Sequence, residues 1–225
     1  MNKSMFLGLI ILIALRPAQA ALYSVGNVNG TGSSLNLAIP DANPSGITSA
    51  LTVSGAGSSL TDITVTLNVA GGYNGDLYAY LSYNGTLVTL LNRVGTSATS
   101  TGNAIQDAFG YATAGFNNIS LNDAGSGGNI HNVASPVSGI SYTADGGTLS
   151  AFNGANPNGT WTLFFADQSA GNTSTLDGWS LDITAVPEPV NVALAIFGAG
   201  FVGMGAVRIY RGSRKAAEPS SLLNA

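Results

Sequence analysis

The chain has 225 residues, with seven Lys or Arg against eleven Asp or Glu, a net charge of −4, thirty glycines and no cysteine. The missing thiol excludes disulfides, thiol catalysis and zinc–thiolate sites, so the core alone must stabilise the fold. From Ala21 to Val186 the single cation is Arg93, set against Asp41, Asp62, Asp76, Asp107, Asp123, Asp145, Asp167, Asp177 and Asp182. That balance excludes a phosphate backbone as partner, and hence nucleic acid.

Lys3 and the apolar run Phe6 to Leu15 lead into Ala18-Gln19-Ala20. A short cationic start, an apolar stretch too brief to cross a bilayer and a small-x-small site predict a signal peptide over residues 1–20, with the mature chain beginning at Ala21. Residues 21–34 read as a lead-in without strong periodicity.

The middle reads as strands. Ile63, Val65, Leu67 and Val69 alternate with Thr64, Thr66 and Asn68, the period of two of a half-buried strand. Leu77, Ala79 and Leu81 alternate with Tyr78, Tyr80 and Ser82, and Asn84-Gly85 then predicts a tight hairpin into Thr86–Leu91. Phe116–Leu121, Trp161–Phe165 and Trp179–Ile183 read as further strands, with Trp161 and Trp179 as core anchors. The dipeptides Asn74-Gly75, Asp145-Gly146, Asn158-Gly159 and Asp177-Gly178 are the turn signals between them. One helical turn is expected at Ala104 to Ala108. Many short strands separated by turns predict an all-β sandwich or barrel over residues 35–185.

The order of landmarks over this stretch carries a resemblance. It runs from Ala38-Ile39-Pro40-Asp41 through Gly75-Asp76-Leu77 and Asn84-Gly85-Thr86 to Gly159-Thr160-Trp161-Thr162-Leu163 and Leu176-Asp177-Gly178-Trp179-Ser180-Leu181. It resembles the P domain, or Homo B domain, that follows the catalytic domain of subtilisin-like proprotein convertases. The resemblance implies a jelly-roll antiparallel β-sandwich and a non-catalytic role beside a protease.

After the sandwich, Pro187-Glu188-Pro189 forms an extended, helix-incompatible segment. Val190 to Val207 carries no charge, and Arg208, Arg211, Arg214 and Lys215 follow it. An apolar stretch of this length predicts a single transmembrane helix over 190–207 whose basic end stays cytoplasmic. The order Pro-Glu-Pro, apolar helix, basic cluster over 186–215 resembles the PEP-CTERM sorting signal of exopolysaccharide-producing bacteria; residues 216–225 extend beyond it. This resemblance implies processing by an exosortase and passage from a membrane-tethered precursor to the cell surface or extracellular matrix.

Candidate chemistry is sparse. His131 is the lone histidine and sits in Gly127-Gly128-Asn129-Ile130-His131-Asn132, without a G-x-S-x-G elbow, so no catalytic residues are assigned. Calcium, which takes carboxylate and carbonyl oxygens, is the inorganic partner to expect, at Asp76, Asp167 and Asp177. Asp41 to Gly46 resembles the start of a calcium loop, but Thr52 stands where the closing glutamate belongs. Tyr78 and Tyr80 share one strand face and are candidates for stacking on sugar rings, or for packing. Two functions fit: a surface or matrix module that binds exopolysaccharide or another surface protein, and an accessory that acts in trans on a subtilisin-like serine endopeptidase.

Overall fold

A computed structural model describes residues 18–96, 110–112 and 114–187, together with Phe197. The expected turn at Ala104 to Ala108 lies outside these residues. So do Glu188, Pro189, the basic cluster and, Phe197 apart, the 190–207 segment. Among the described residues no helix is long and apolar enough to cross a membrane.

Residues 18–186 form one compact unit, with ten strands among the described residues. They are β1 (Gln19–Gly26), β2 (Leu37–Ile39), β3 (Asn43–Val53), β4 (Ser59–Gly71), β5 (Leu77–Tyr83), β6 (Thr86–Asn92), β7 (Phe116–Leu121), β8 (Ser141–Tyr142), β9 (Gly159–Asp167) and β10 (Ser174–Val186). One sheet runs β1-β10-β4-β7-β8 and the other β3-β9-β5-β6. The long β10 organises the larger sheet. One of its edges pairs with β4, and the other pairs first with β2 at Ser174–Leu176 and then with β1 from Gly178 to Ala185.

The alternation read from the sequence decides which side chains lie between the sheets. Ile63, Val65, Leu67 and Val69 of β4 are buried, as are Leu77, Ala79, Leu81 and Tyr83 of β5. They join Trp161, Leu163 and Phe165 of β9 and Trp179, Leu181 and Ile183 of β10 in a single apolar cluster. Trp161 sits at its centre, 0% exposed, stacked on Tyr83 at 4.1 Å and edge-on to Phe152. Its indole N–H donates to the Pro157 carbonyl at 2.9 Å, so the buried polar atom is satisfied. The Asn84-Gly85 hairpin forms as expected, with Asn84 at φ 47° and Gly85 at φ 79°.

The structure departs from the sequence reading in three places. Residues 19–26, where no strand was read from the sequence, form edge strand β1. Asp177-Gly178, read as a turn, lies inside β10, where the register slips between Leu176 and Gly178 and the strand bulges without reversing. One pairing, β7 with β8, is parallel, because the loop after β7 carries the chain back to run beside it in the same direction.

Candidate functional site

Three clusters of chemistry-bearing side chains stand out. The first lies at the pole where β4 ends and β10 begins. After Gly71 a short 3-10 turn, Asn74–Asp76, carries the chain into β5, and it is held by the Gly75 N–H donating to the Tyr111 carbonyl at 2.9 Å. Asp167 ends β9 opposite Leu77, and the Gln168 N–H donates to the Asp76 carbonyl at 2.8 Å. This ladder brings Asp76 and Asp167 together, 3% and 0% exposed. Asp76 also lines an open cleft of about 520 Å³ with Tyr73, Tyr111 and Ser169.

Burial is the main cause that raises the pKa of both carboxyls above the ordinary aspartate value. The Asp167 charge adds to it at Asp76, and the Asp41 charge at Asp167. The Arg93 guanidinium opposes the rise from nearby, donating to the Gly75 carbonyl and to Ser169 Oγ at 3.3 and 3.0 Å. The same pole gathers buried polar atoms that lack hydrogen-bond partners: both amide atoms of Asn74, Asp167 Oδ2, the Tyr111 hydroxyl and Ser174 Oγ. Each such group left unpaired ordinarily costs about 1–3 kcal/mol, and among the described residues they concentrate at this pole.

Asp177, grouped with Asp76 and Asp167 in the sequence reading, does not join them. Its carboxylate accepts from Ser34 Oγ at 2.6 Å, while its backbone carbonyl accepts from the Asn27 and Leu35 amides. Among the described residues no three His, Cys, Asp or Glu side chains gather closely enough to hold a metal by themselves. The sequence reading took Asn74 only as part of a turn and did not single out Tyr111. For Asn74 the signal was present: an Asx amide two residues before an Asp, in a turn.

The second cluster is aromatic. Tyr78 and Tyr80 project from the outer face of the four-stranded sheet, half-buried, beside Phe164 of β9. Tyr80 and Phe164 stack face to face at 4.7 Å with 13° between planes, and Tyr78 meets both edge-on. The rings therefore pack on one another, and the face that Tyr80 turns to Phe164 is closed to a sugar. Around them the register lays out uncharged rungs, Thr48, Phe164, Tyr80 and Thr89 in one and Ala50, Thr162, Ser82 and Leu87 in the next.

The third is His131. Its Nδ1 lies 2.9 Å from Asp145 Oδ2 and its Nε2 2.9 Å from the Thr96 carbonyl. A triad would present a serine hydroxyl at Nε2; here a backbone acceptor fills that place. Both ring nitrogens face acceptors, an arrangement that only the doubly protonated imidazolium completes. Burial opposes the charge, but the bonds to Asp145 and Thr96 outweigh it and raise the pKa above 6.5. The resulting stabilisation is fully present below the unfolded-state pKa and is lost as pH rises through the folded-state value. The melting temperature should therefore fall as pH rises from the ordinary histidine value through the raised folded-state one, and His131→Gln should flatten that slope in thermal scans. An unchanged slope in the variant would remove His131 as its source.

Fold and topology together define an all-β module of two packed sheets. The proprotein convertase P-domain family matches residues 60–183, more than half of the chain, and the protein belongs to that family. No curated protein matches. Among solved structures, the serine protease of Aeromonas sobria in complex with the chaperone is similar at 18% identity and a TM-score of 0.45, covering 76% of this chain and 28% of that one. The serine protease of Aeromonas sobria also matches in a second structure, at 16% identity, a TM-score of 0.40 and the same coverage. The chain thus spans well under a third of the length of those proteins.

Proposed function

We propose that this protein is an exported accessory module that works by binding another protein at the cell surface. The observation that carries this reading is the uncharged, aromatic outer face of the four-stranded sheet on a P-domain scaffold. Depletion of charge and enrichment in aromatic side chains are what the centre of a protein interface favours. A polysaccharide platform is the weaker fit, since Tyr80 and Phe164 cover one another's ring faces. Family membership favours a subtilisin-like serine endopeptidase, made as a separate chain, as the partner. Without β2 and β8, the strand order first-eighth-third-sixth in one sheet and second-seventh-fourth-fifth in the other supports reading the sandwich as a jelly roll.

In this reading the chain crosses the membrane behind its signal peptide and is cut after Ala20, which leaves Ala21–Gly26 of β1 paired with β10. The 190–207 segment and the basic cluster then hold the precursor until an exosortase cuts near Pro187-Glu188-Pro189. Affinity capture from the native envelope, followed by intact mass of the captured chain, tests this. The expected result is a chain that begins at Ala21, lacks Arg208 to Ala225 and co-purifies with a subtilisin-like protease. Retention on exopolysaccharide with no protein partner, or a surface form still carrying the basic cluster, overturns the corresponding part.

A further inference from the structure

We propose that the Asp76–Asp167 pole binds a hard divalent cation, with calcium the fitting ion, through the two carboxylates and the side-chain oxygen of Asn74. The donors are all oxygen, with no imidazole or thiolate among them, which suits calcium or magnesium and not zinc or copper. Asp167 Oδ2 and the Asn74 amide are buried without any hydrogen-bond partner. A ligated cation satisfies those oxygens, where an empty pole leaves them desolvated. Tyr111 supplies a separate indication: it lines the adjoining cleft, and its buried hydroxyl also lacks a partner.

Charge points the same way. Among the described residues, the carboxylates of Asp41, Asp76 and Asp167 act on one another here, and the Arg93 guanidinium opposes that repulsion in part. A divalent ion removes that repulsion where burial makes it most costly. The cleft at Asp76 gives an entry path and room for the waters that complete calcium's six to eight ligands. Calcium fits better than magnesium because a mixed set on a turn and a strand end lacks the strict octahedron magnesium demands. With so few carboxylates and a cation beside them, the affinity expected is that of extracellular modules, about 10⁻⁴–10⁻³ M. The site excludes Asp177, which Ser34 already engages.

Two measurements on the full chain test the site. In thermal unfolding, calcium at a hundredfold excess over its dissociation constant should raise the melting temperature by about 5–10 °C relative to chelator. Magnesium should do much less. Asp167→Asn and Asp76→Asn should abolish the shift, and Asp177→Asn should keep it. Terbium, a luminescent calcium mimic, needs no variant: tyrosine excitation of the wild-type protein should give terbium emission that calcium displaces, because Tyr111 and Tyr73 line the cleft. Coincident melting curves in calcium, magnesium and chelator overturn the proposal. So does a shift lost in Asp177→Asn but kept in Asp167→Asn, or terbium emission that calcium leaves unchanged.

Discussion

Replacing Trp161 with alanine should cost about 3–5 kcal/mol and lower the melting temperature by about 10 °C or more. The indole is fully buried between Tyr83 and Phe152, in contact with both sheets' shared core, and its N–H is anchored on Pro157. Truncation removes the stacking partner of Tyr83 and opens a cavity that its neighbours in paired strands cannot collapse into. Tyr83→Phe is the matched control. It keeps the stack and loses only the hydroxyl bonds to the Asn156 and Asn158 carbonyls at 2.7 and 2.9 Å, a change of about 1 kcal/mol. Chemical denaturation of both variants decides the matter. Equal losses would mean that the Tyr83 hydroxyl, and not the indole packing, holds this end of the core.

The second large effect should come from Gly178→Ala, at about 3 kcal/mol of lost stability. A Cβ at this position would stand 2.5 Å from the Asn27 carbonyl oxygen and 2.7 Å from its nitrogen. Those atoms cannot yield easily. The Asn27 N–H donates to the Asp177 carbonyl, and the Asn27 carbonyl accepts from the Asn68 side chain at 2.9 Å. The substitution should loosen β1 first, so amide exchange at Tyr23 to Gly26 should accelerate more than exchange in β9. Uniform acceleration across both sheets would place the strain elsewhere.

Gly178 also shows why part of the fold escaped the sequence. Asp-Gly is a turn signal when judged locally, and nothing nearby reveals that another segment's backbone must pass over the glycine. The need for it lies in Asn27, far away along the chain. Strand β1 was missed for a related reason: it is an edge strand, paired only with β10, and Leu22 is 66% exposed while Tyr23 and Val25 are half-buried. Its apolar alternation is blurred, and it begins within residues that read as a cleavage site. By contrast β4, β5 and β9 were legible because each buries one clean face against the core, which fixes a period of two in the residues themselves.

The acidic pole was half legible for the same physical reason. Asp76 and Asp167 flank strands whose alternation was clear, so their placement at strand ends could be anticipated. Whether a third aspartate joins them depends on sheet registers, and those seat Asp177 beside Ser34 instead. Asn74 was legible as a turn residue; its burial, with both amide atoms unpaired, is what marks it as more than that.

The pairing of Gln19 with Ala185 places the two ends of the sandwich side by side at one corner. A pull applied between those ends would load the β1–β10 ladder one rung at a time, peeling it like a zipper, whereas shear would load all rungs together. Under a pull between its ends, the module is therefore mechanically weak along that seam.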